Sequence, residues 1–164
     1  MNKIKKPKII VTRAIPLVVA KALNGYFNVE LNTSDEPFSK KKLKAAFENA
    51  DGILCTVSDQ ISSEIICSER LSASIISNYG VGVSNIDLDQ AKINGLVVTN
   101  TPNVLTDATA EVALFLILAV SRRTTYLETK LRKQQWKGFS IISDLGSSLS
   151  GKTLGIVGMG RIGQ

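Results

Sequence analysis

Short runs of branched apolar residues recur along the first hundred positions of this chain, and stretches of helical periodicity separate them. Residues 8–12, 27–31, 52–56, 73–77 and 96–99 each read as a short strand. Between them, Pro16 suits the first turn of a helix over roughly 16–24. Ser39 can cap a helix that runs to about Asn49, and a short helix is expected around 63–69. Asn85 or Asp87 starts a further helix, which Gly95 ends. Strands alternating with helical crossovers give an α/β fold with a doubly wound parallel sheet of the flavodoxin-like kind.

The pattern changes after Asn100. A loop over 101–106 precedes a helix from about Asp107 to Arg123 that is apolar nearly all round, and such a helix needs cover from another domain or subunit. A polar helical stretch follows to about Gln135, then a loop around Trp136, Gly138 and Phe139. A last strand is expected over 153–157. The organisation is therefore two-part, 1–99 and 100–164.

Composition excludes several classes. With 44% hydrophobic and 21% charged residues among 164, the chain is globular rather than disordered. Its longest apolar run, 112–120, is under half of a bilayer span, and Arg13 and Lys21 interrupt the N-terminal apolar stretch where a signal peptide would need continuity. No membrane association is expected, and the location expected is cytoplasmic. Cys55 and Cys67 lie in apolar stretches and read as buried small hydrophobes in a reducing compartment. The net charge of +6 is concentrated in residues 1–50, which hold ten Lys/Arg against four Asp/Glu. Lys40, Lys41, Lys42 and Lys44 surround Leu43, Ala46 and Phe47 at helical spacing, so they read as a solvated helix face, and no nucleic-acid partner is expected. The chain contains no histidine. Any histidine acid, base or metal ligand must come from elsewhere, and no metal site is expected.

Two glycine-rich stretches carry chemistry. Gly158-Met159-Gly160-Arg161-Ile162-Gly163 follows a continuous apolar run and opens a helical pattern. Gly158 permits a tight turn, Gly160 lets a pyrophosphate approach the backbone, and Gly163 allows close helix packing. The helix N-terminus offers unpaired N–H groups to phosphate, and the ribose-contacting residue would lie about 20 positions further on. The second stretch, Asn78-Tyr79-Gly80-Val81-Gly82, leads through Val83 and Ser84 to Asn85 and Asp87 directly after a strand. Glycines on both sides of Val81 let backbone N–H groups converge on an anion such as a carboxylate, although a plain strand-to-helix turn has the same look.

Segment 78–87, the segment from Asn100 through Thr101, Pro102 and Thr109 to Glu111, the Trp136–Phe139 loop and segment 149–164 occur in this order and spacing. Together they resemble the D-isomer-specific 2-hydroxyacid dehydrogenases, with the nearest look to the glyoxylate/hydroxypyruvate reductase branch. The resemblance implies that residues 1–99 are the N-terminal part of a substrate-binding domain and that 100–164 begin a Rossmann NAD(P)-binding domain with its first helix and first strand. It implies an NAD- or NADP-dependent oxidoreductase that moves a hydride between nicotinamide and a small 2-oxo or 2-hydroxy acid.

The same resemblance implies roles for individual residues. The backbone of Val81 and Gly82 would hold the substrate carboxylate, and Leu54 would line the pocket. Thr109 would lie by the nicotinamide, while Gly158, Gly160, Arg161, Ile162 and Gly163 would meet the dinucleotide. Trp136 falls where some members lend an aromatic residue to a neighbouring subunit, and the apolar helix falls at the family's homodimer interface. Each has a plainer rival: Leu54 as core, Thr109 as a helix cap, Trp136 as ordinary packing. Val83 and Ser84 depart from the family pattern, which often has an aromatic residue and then Asp. The family's catalytic Arg, Glu and His would lie downstream of Gln164, so residues 1–164 alone are expected to be inactive. The alternatives are a dinucleotide-sensing, co-repressor-like regulator of the same fold, or a truncated product that exposes its apolar helix and aggregates.

Overall fold

The computed structural model describes residues 5–164, in which the chain divides into two compact units, one up to Asn103 and one from Val104. The first unit alternates strands and helices: β1 (Lys8–Val11), α1 (Leu17–Tyr26), β2 (Asn28–Leu31), α2 (Lys40–Asn49), β3 (Gly52–Thr56), α3 (Ser63–Ile66), β4 (Ile75–Tyr79), α4 (Leu88–Ile93) and β5 (Val97–Thr99). The strands form one sheet in the order β2-β1-β3-β4-β5, and every pairing is parallel. This is the flavodoxin-like order, in which the chain reverses its winding between β1 and β3.

One face of the sheet is dry. Ile53 and Cys55 of β3 and Ile76 of β4 meet Leu43, Ala46 and Phe47 of α2, Ile65 and Ile66 of α3 and Ala91 of α4. The lysines of α2 all fall off this stripe, as the helical spacing requires. Residues that alternate with these core positions, Leu54, Ser77 and Tyr79, face α1, of which only Ala20 is fully buried.

Local chemistry sets the element ends. Ser39 accepts from the Lys42 N–H and caps α2, and Asp87 accepts from the Gln90 N–H and caps α4. Asp87, not Asn85, therefore starts that helix. Gly95 follows it at φ +68, a left-handed conformation that suits glycine. β4 begins at Ile75 instead of residue 73, because the Ser72 and Ala73 N–H groups both donate to the Phe47 carbonyl at the end of α2. α3 stops at Ile66, short of the expected residue 69: Cys67 leaves helical geometry and the Ser68 hydroxyl is drawn to Glu48. Cys67 is consequently exposed, which corrects its reading as a buried residue.

The second unit holds α5 (Thr106–Ser121) and α6 (Thr124–Arg132). Neither has a buried residue, and Val112, Leu114, Phe115, Leu116, Leu118 and Val120 of α5 are all exposed. Lys130 of α6 pairs with Asp144, and Tyr126 donates to the same carboxylate at 3.2 Å, which holds the following loop against α6. The strand expected over 153–157 does not form. A parallel strand gains its hydrogen bonds from neighbours, and among the described residues this unit has no other strand to supply them.

Phe47→Ala is expected to lower the unfolding free energy of the first unit by about 3–5 kcal/mol, since its ring is fully buried among aliphatic side chains. Leu17→Ala, at a site 78% exposed, should cost less than about 0.5 kcal/mol. Urea denaturation of the two variants compares them directly, and equal costs would contradict this placement of the core.

Candidate functional site

In an open parallel sheet, loops after the strands gather along the carboxyl edge and leave a crevice where the winding reverses. Here that edge carries a pocket of about 200 Å³ lined by Ile15 and Pro16 after β1, Val19 of α1, Leu54 of β3, Ser77, Asn78 and Tyr79 of β4, and Thr101. Its walls are largely apolar, with Ser77, Asn78, Tyr79 and Thr101 as the polar residues of the lining. Leu54 thus faces this pocket and is half-buried; it is not part of the buried core.

Beneath the edge lies a network of buried polar side chains. The Asp59 carboxylate accepts from the Thr12 hydroxyl at 2.7 Å and from the Thr56 N–H at 2.9 Å. The Asn85 amide donates to the Asp59 carbonyl at 3.0 Å, the Thr56 carbonyl at 3.2 Å and the Asn78 side-chain oxygen at 3.4 Å. Asn78, only 1% exposed, donates in turn to the Gly82 carbonyl at 2.8 Å. Every member has a partner, which is the condition under which buried polar groups specify a structure rather than weaken it.

The loop over 80–82 is turned by this network and by the segment after β5. The Gly80 carbonyl accepts from the Thr101 N–H at 3.0 Å, and the Val81 carbonyl accepts from the Asn100 side chain at 2.8 Å. Gly80 sits so close to the Val57 side chain that a Cβ there would overlap it, and any larger residue would force Val57 to move. No hydrogen bond from the Val81 or Gly82 N–H is found among the described residues, and both residues are exposed. Ser84, where the sequence departs from the family pattern, is exposed and caps no helix; Asp87 does that work.

The charged side chains nearby are already engaged. Arg13 donates from Nε to Asp35 at 3.0 Å and from Nη1 to Ser58 at 2.8 Å, and the Ala14 N–H also reaches Asp35. The Arg13 and Ala14 bonds hold the Asp35 carboxyl below its ordinary range, and Asp35 raises Arg13 in return. Burial, helped by the nearby Asp59 carboxylate, pushes the Cys55 thiol up to about 12, so it stays protonated.

In the second unit, Thr109 is exposed on the first turn of α5 and its hydroxyl donates to the Leu105 carbonyl at 2.7 Å. It bonds backward along the helix instead of capping it, and Leu105 at the N-cap contributes no side-chain bond. The Gly158–Gly163 stretch distinguishes its three glycines physically. Gly158 has φ +98, a Cβ on Gly163 would overlap the Gly158 carbonyl, and Gly160 has no atom near its missing Cβ. The Gly163 and Gln164 N–H groups both donate to the Gly160 carbonyl at 3.1 Å, closing a single turn. Arg161 and Ile162 are exposed on it, and their N–H groups make no bond among the described residues. A strained turn, a tight packing point and an open backbone are the features a dinucleotide pyrophosphate requires, so these residues fit such a group.

The family model described as D-isomer specific 2-hydroxyacid dehydrogenase, catalytic domain, matches residues 8–156. The chain belongs to this family. It is 39% identical over 163 residues to a glyoxylate reductase of Thermococcus litoralis and 40% identical over 164 residues to one of Pyrococcus furiosus, in each case across 97% of this chain. It covers 49% and 48% of those proteins, and so spans about half the length of the curated relatives it matches. Among solved structures, a protein of Thermus thermophilus matches with TM-score 0.84 and 39% identity, over 95% of this chain and 50% of that one. An NADPH-dependent glyoxylate/hydroxypyruvate reductase of Sinorhizobium meliloti, solved with NADP and malonate, matches with TM-score 0.78 and 30% identity, over 97% of this chain and 48% of that one.

In this member of the family, the fold brings Leu54 and the 78–87 loop to one edge of the first unit, while Thr109 and the glycine motif belong to the second. Sequence reasoning missed Asp59, Asn78 and Asn85 as a linked set, and missed Arg13 altogether. Thr56-Val57-Ser58-Asp59 has the spacing of a side chain that bonds back to a nearby N–H, and that was the available signal.

Two outcomes are expected here. Iodoacetamide at about pH 8 should modify Cys67 in the folded protein and leave Cys55 untouched until denaturant is added, as read by peptide mass mapping. The Asp35 carboxyl should titrate below its ordinary 3.8, so the clasp with Arg13 contributes above that value and is lost as pH falls through the lowered one. Arg13→Gln should move the Asp35 midpoint back upward, as followed by carbon NMR.

Proposed function

We propose that residues 1–164 contribute the substrate-carboxylate seat and the opening of the nucleotide site to an NAD(P)-dependent reductase of small 2-oxo acids, such as glyoxylate or hydroxypyruvate. The observation that carries this reading is the pair of N–H groups at Val81 and Gly82, which make no bond among the described residues, on the loop that follows Tyr79, a residue that with Leu54 lines a small, largely apolar pocket. Two backbone donors suit the two oxygens of a carboxylate, and an apolar wall suits a short carbon chain. The family membership and the glyoxylate reductase relatives support the same class of reaction.

In this reading the substrate carboxylate is held and oriented by Val81 and Gly82, while Leu54, Ile15 and Val19 exclude water from the carbon chain. Gly158, Gly160, Arg161, Ile162 and Gly163 take the pyrophosphate of NAD or NADP, and Thr109 borders the nicotinamide; the bound dinucleotide supplies the hydride. A histidine proton donor, which the family resemblance implies, would have to come from outside these residues, since the chain has no histidine. Residues 1–99 then belong to the substrate domain and 100–164 to the nucleotide domain. The exposed apolar side chains of α5 support a homodimer of the whole protein. A cytoplasmic location and no nucleic-acid partner are part of the same proposal.

The test joins residues 1–164 to the remaining half of the Thermococcus litoralis glyoxylate reductase. The chimera should oxidise NADH or NADPH on addition of glyoxylate or hydroxypyruvate, whereas residues 1–164 alone should not. Gly82→Pro, which deletes one donor, should raise KM for the 2-oxo acid about tenfold. A folded chimera that binds dinucleotide yet turns over no 2-oxo acid would overturn the reading.

A further inference from the structure

A peptide unit is planar and trans, so the carbonyl of one residue and the N–H of the next point in opposite directions. Fixing a carbonyl therefore aims the N–H that follows it. In the 80–82 loop two consecutive carbonyls are fixed from the same side. The Gly80 carbonyl is bound by the Thr101 N–H, and the Val81 carbonyl by the Asn100 side chain, from adjacent residues of one segment. The N–H groups of Val81 and Gly82 are thereby both turned away from that segment. A third pin, from Asn78 to the Gly82 carbonyl, stops the loop from rotating at its far end.

The side-chain amides are themselves oriented. The Asn78 oxygen accepts from Asn85 and from the Cys55 thiol, which leaves its NH2 to face Gly82. Asn85 is held by the carbonyls of Thr56 and Asp59. The chain of bonds from Asp59 through Asn85 and Asn78 thus ends on the loop, whereas Asn100 reaches it from an exposed position with a single bond.

We propose that Asn78 and Asn100 are positioning residues for carboxylate recognition: each uses its side-chain NH2 to hold a loop carbonyl, and Asn100 together with the Thr101 N–H forces the Val81 and Gly82 N–H groups to converge on one anion. Neither asparagine touches the ligand. Their effect is on the direction of two donors, and the selectivity that follows is for a planar, two-oxygen anion over a neutral carbonyl compound, which can use only one of them. This rests on the reading above that a carboxylate binds there.

The experiment uses the 15N-labelled 164-residue chain, with oxalate as an unreactive two-oxygen probe beside a second trigonal carbon. In the wild-type chain, oxalate should shift the Val81 and Gly82 amide resonances. Asn100→Ala should weaken oxalate binding about fivefold, roughly the loss of one modest hydrogen bond, and move the free-state Gly82 amide resonance, with the thermal midpoint unchanged because Asn100 is exposed. Asn78→Ser should weaken binding as well, and the surface variant decides the matter if this buried one unfolds. Oxalate that shifts both amides equally well in wild type and Asn100→Ala overturns the positioning role while leaving the carboxylate seat standing. Oxalate that shifts neither amide in the wild-type chain overturns the seat, and the positioning role with it.

Discussion

Because all five strands run the same way, every loop that follows a strand emerges on one edge, and the polar groups of those loops must be satisfied where the sheet's own ladder ends. The Asp59–Asn85–Asn78 set meets that demand. It binds the end of β1 through Thr12, the end of β3 through Thr56 and the loop after β4 through Gly82. Three strand ends are thereby tied to each other by side chains, in addition to the backbone pairing of Thr56 with Tyr79 and the bond from the Thr12 N–H to the Leu54 carbonyl. A mostly rigid carboxyl edge follows, and the pocket containing Leu54 owes its shape to it. Apolar substitution within the set would leave several buried donors and acceptors without partners, which costs more than the bonds themselves contribute.

The fold was legible because periodicity and punctuation agreed. β3 matches its expected limits residue for residue, since Ala50 and Asp51 on one side and the polar run from Thr56 on the other leave no alternative register. Ser39 starts its helix and Gly95 follows the end of another, as their chemistry dictates. What the sequence could not disclose were bonds between distant segments. The Phe47 carbonyl captures the N–H groups of Ser72 and Ala73 and delays β4, and Glu48 draws Ser68 away from a longer α3. Cys67 became exposed for the same reason. The apolar run over 153–157 has every local property of a strand, yet a strand is a relation between segments, and no partner for it lies among the described residues. The candidate site divided in a similar way. Glycines announced the loops and local spacing hinted at the Asp59 bond to Thr56, but the bonds of Asp59 to Thr12, Asn85 to Asp59 and Arg13 to Ser58 span 26 to 47 residues, which no spacing rule encodes.

The two glycine-rich stretches reach open N–H groups by different physical routes. In 158–163 the donors are the ordinary orphans at the start of a helical turn, so the arrangement depends on backbone shape alone. Substituting the intervening Met159, Arg161 or Ile162 leaves that shape available, whereas substituting Gly158 or Gly163 meets positive φ or a backbone overlap. In 80–82 the open N–H groups have no helix to align them, and their direction is imposed by carbonyls fastened from behind. That route depends on two asparagine side chains and tolerates change at Val81, whose side chain takes no part. A turn built on glycine is therefore robust to its neighbours and sensitive at its glycines. A loop aimed by amide side chains is the reverse, and its specificity can be altered by residues that never meet the ligand.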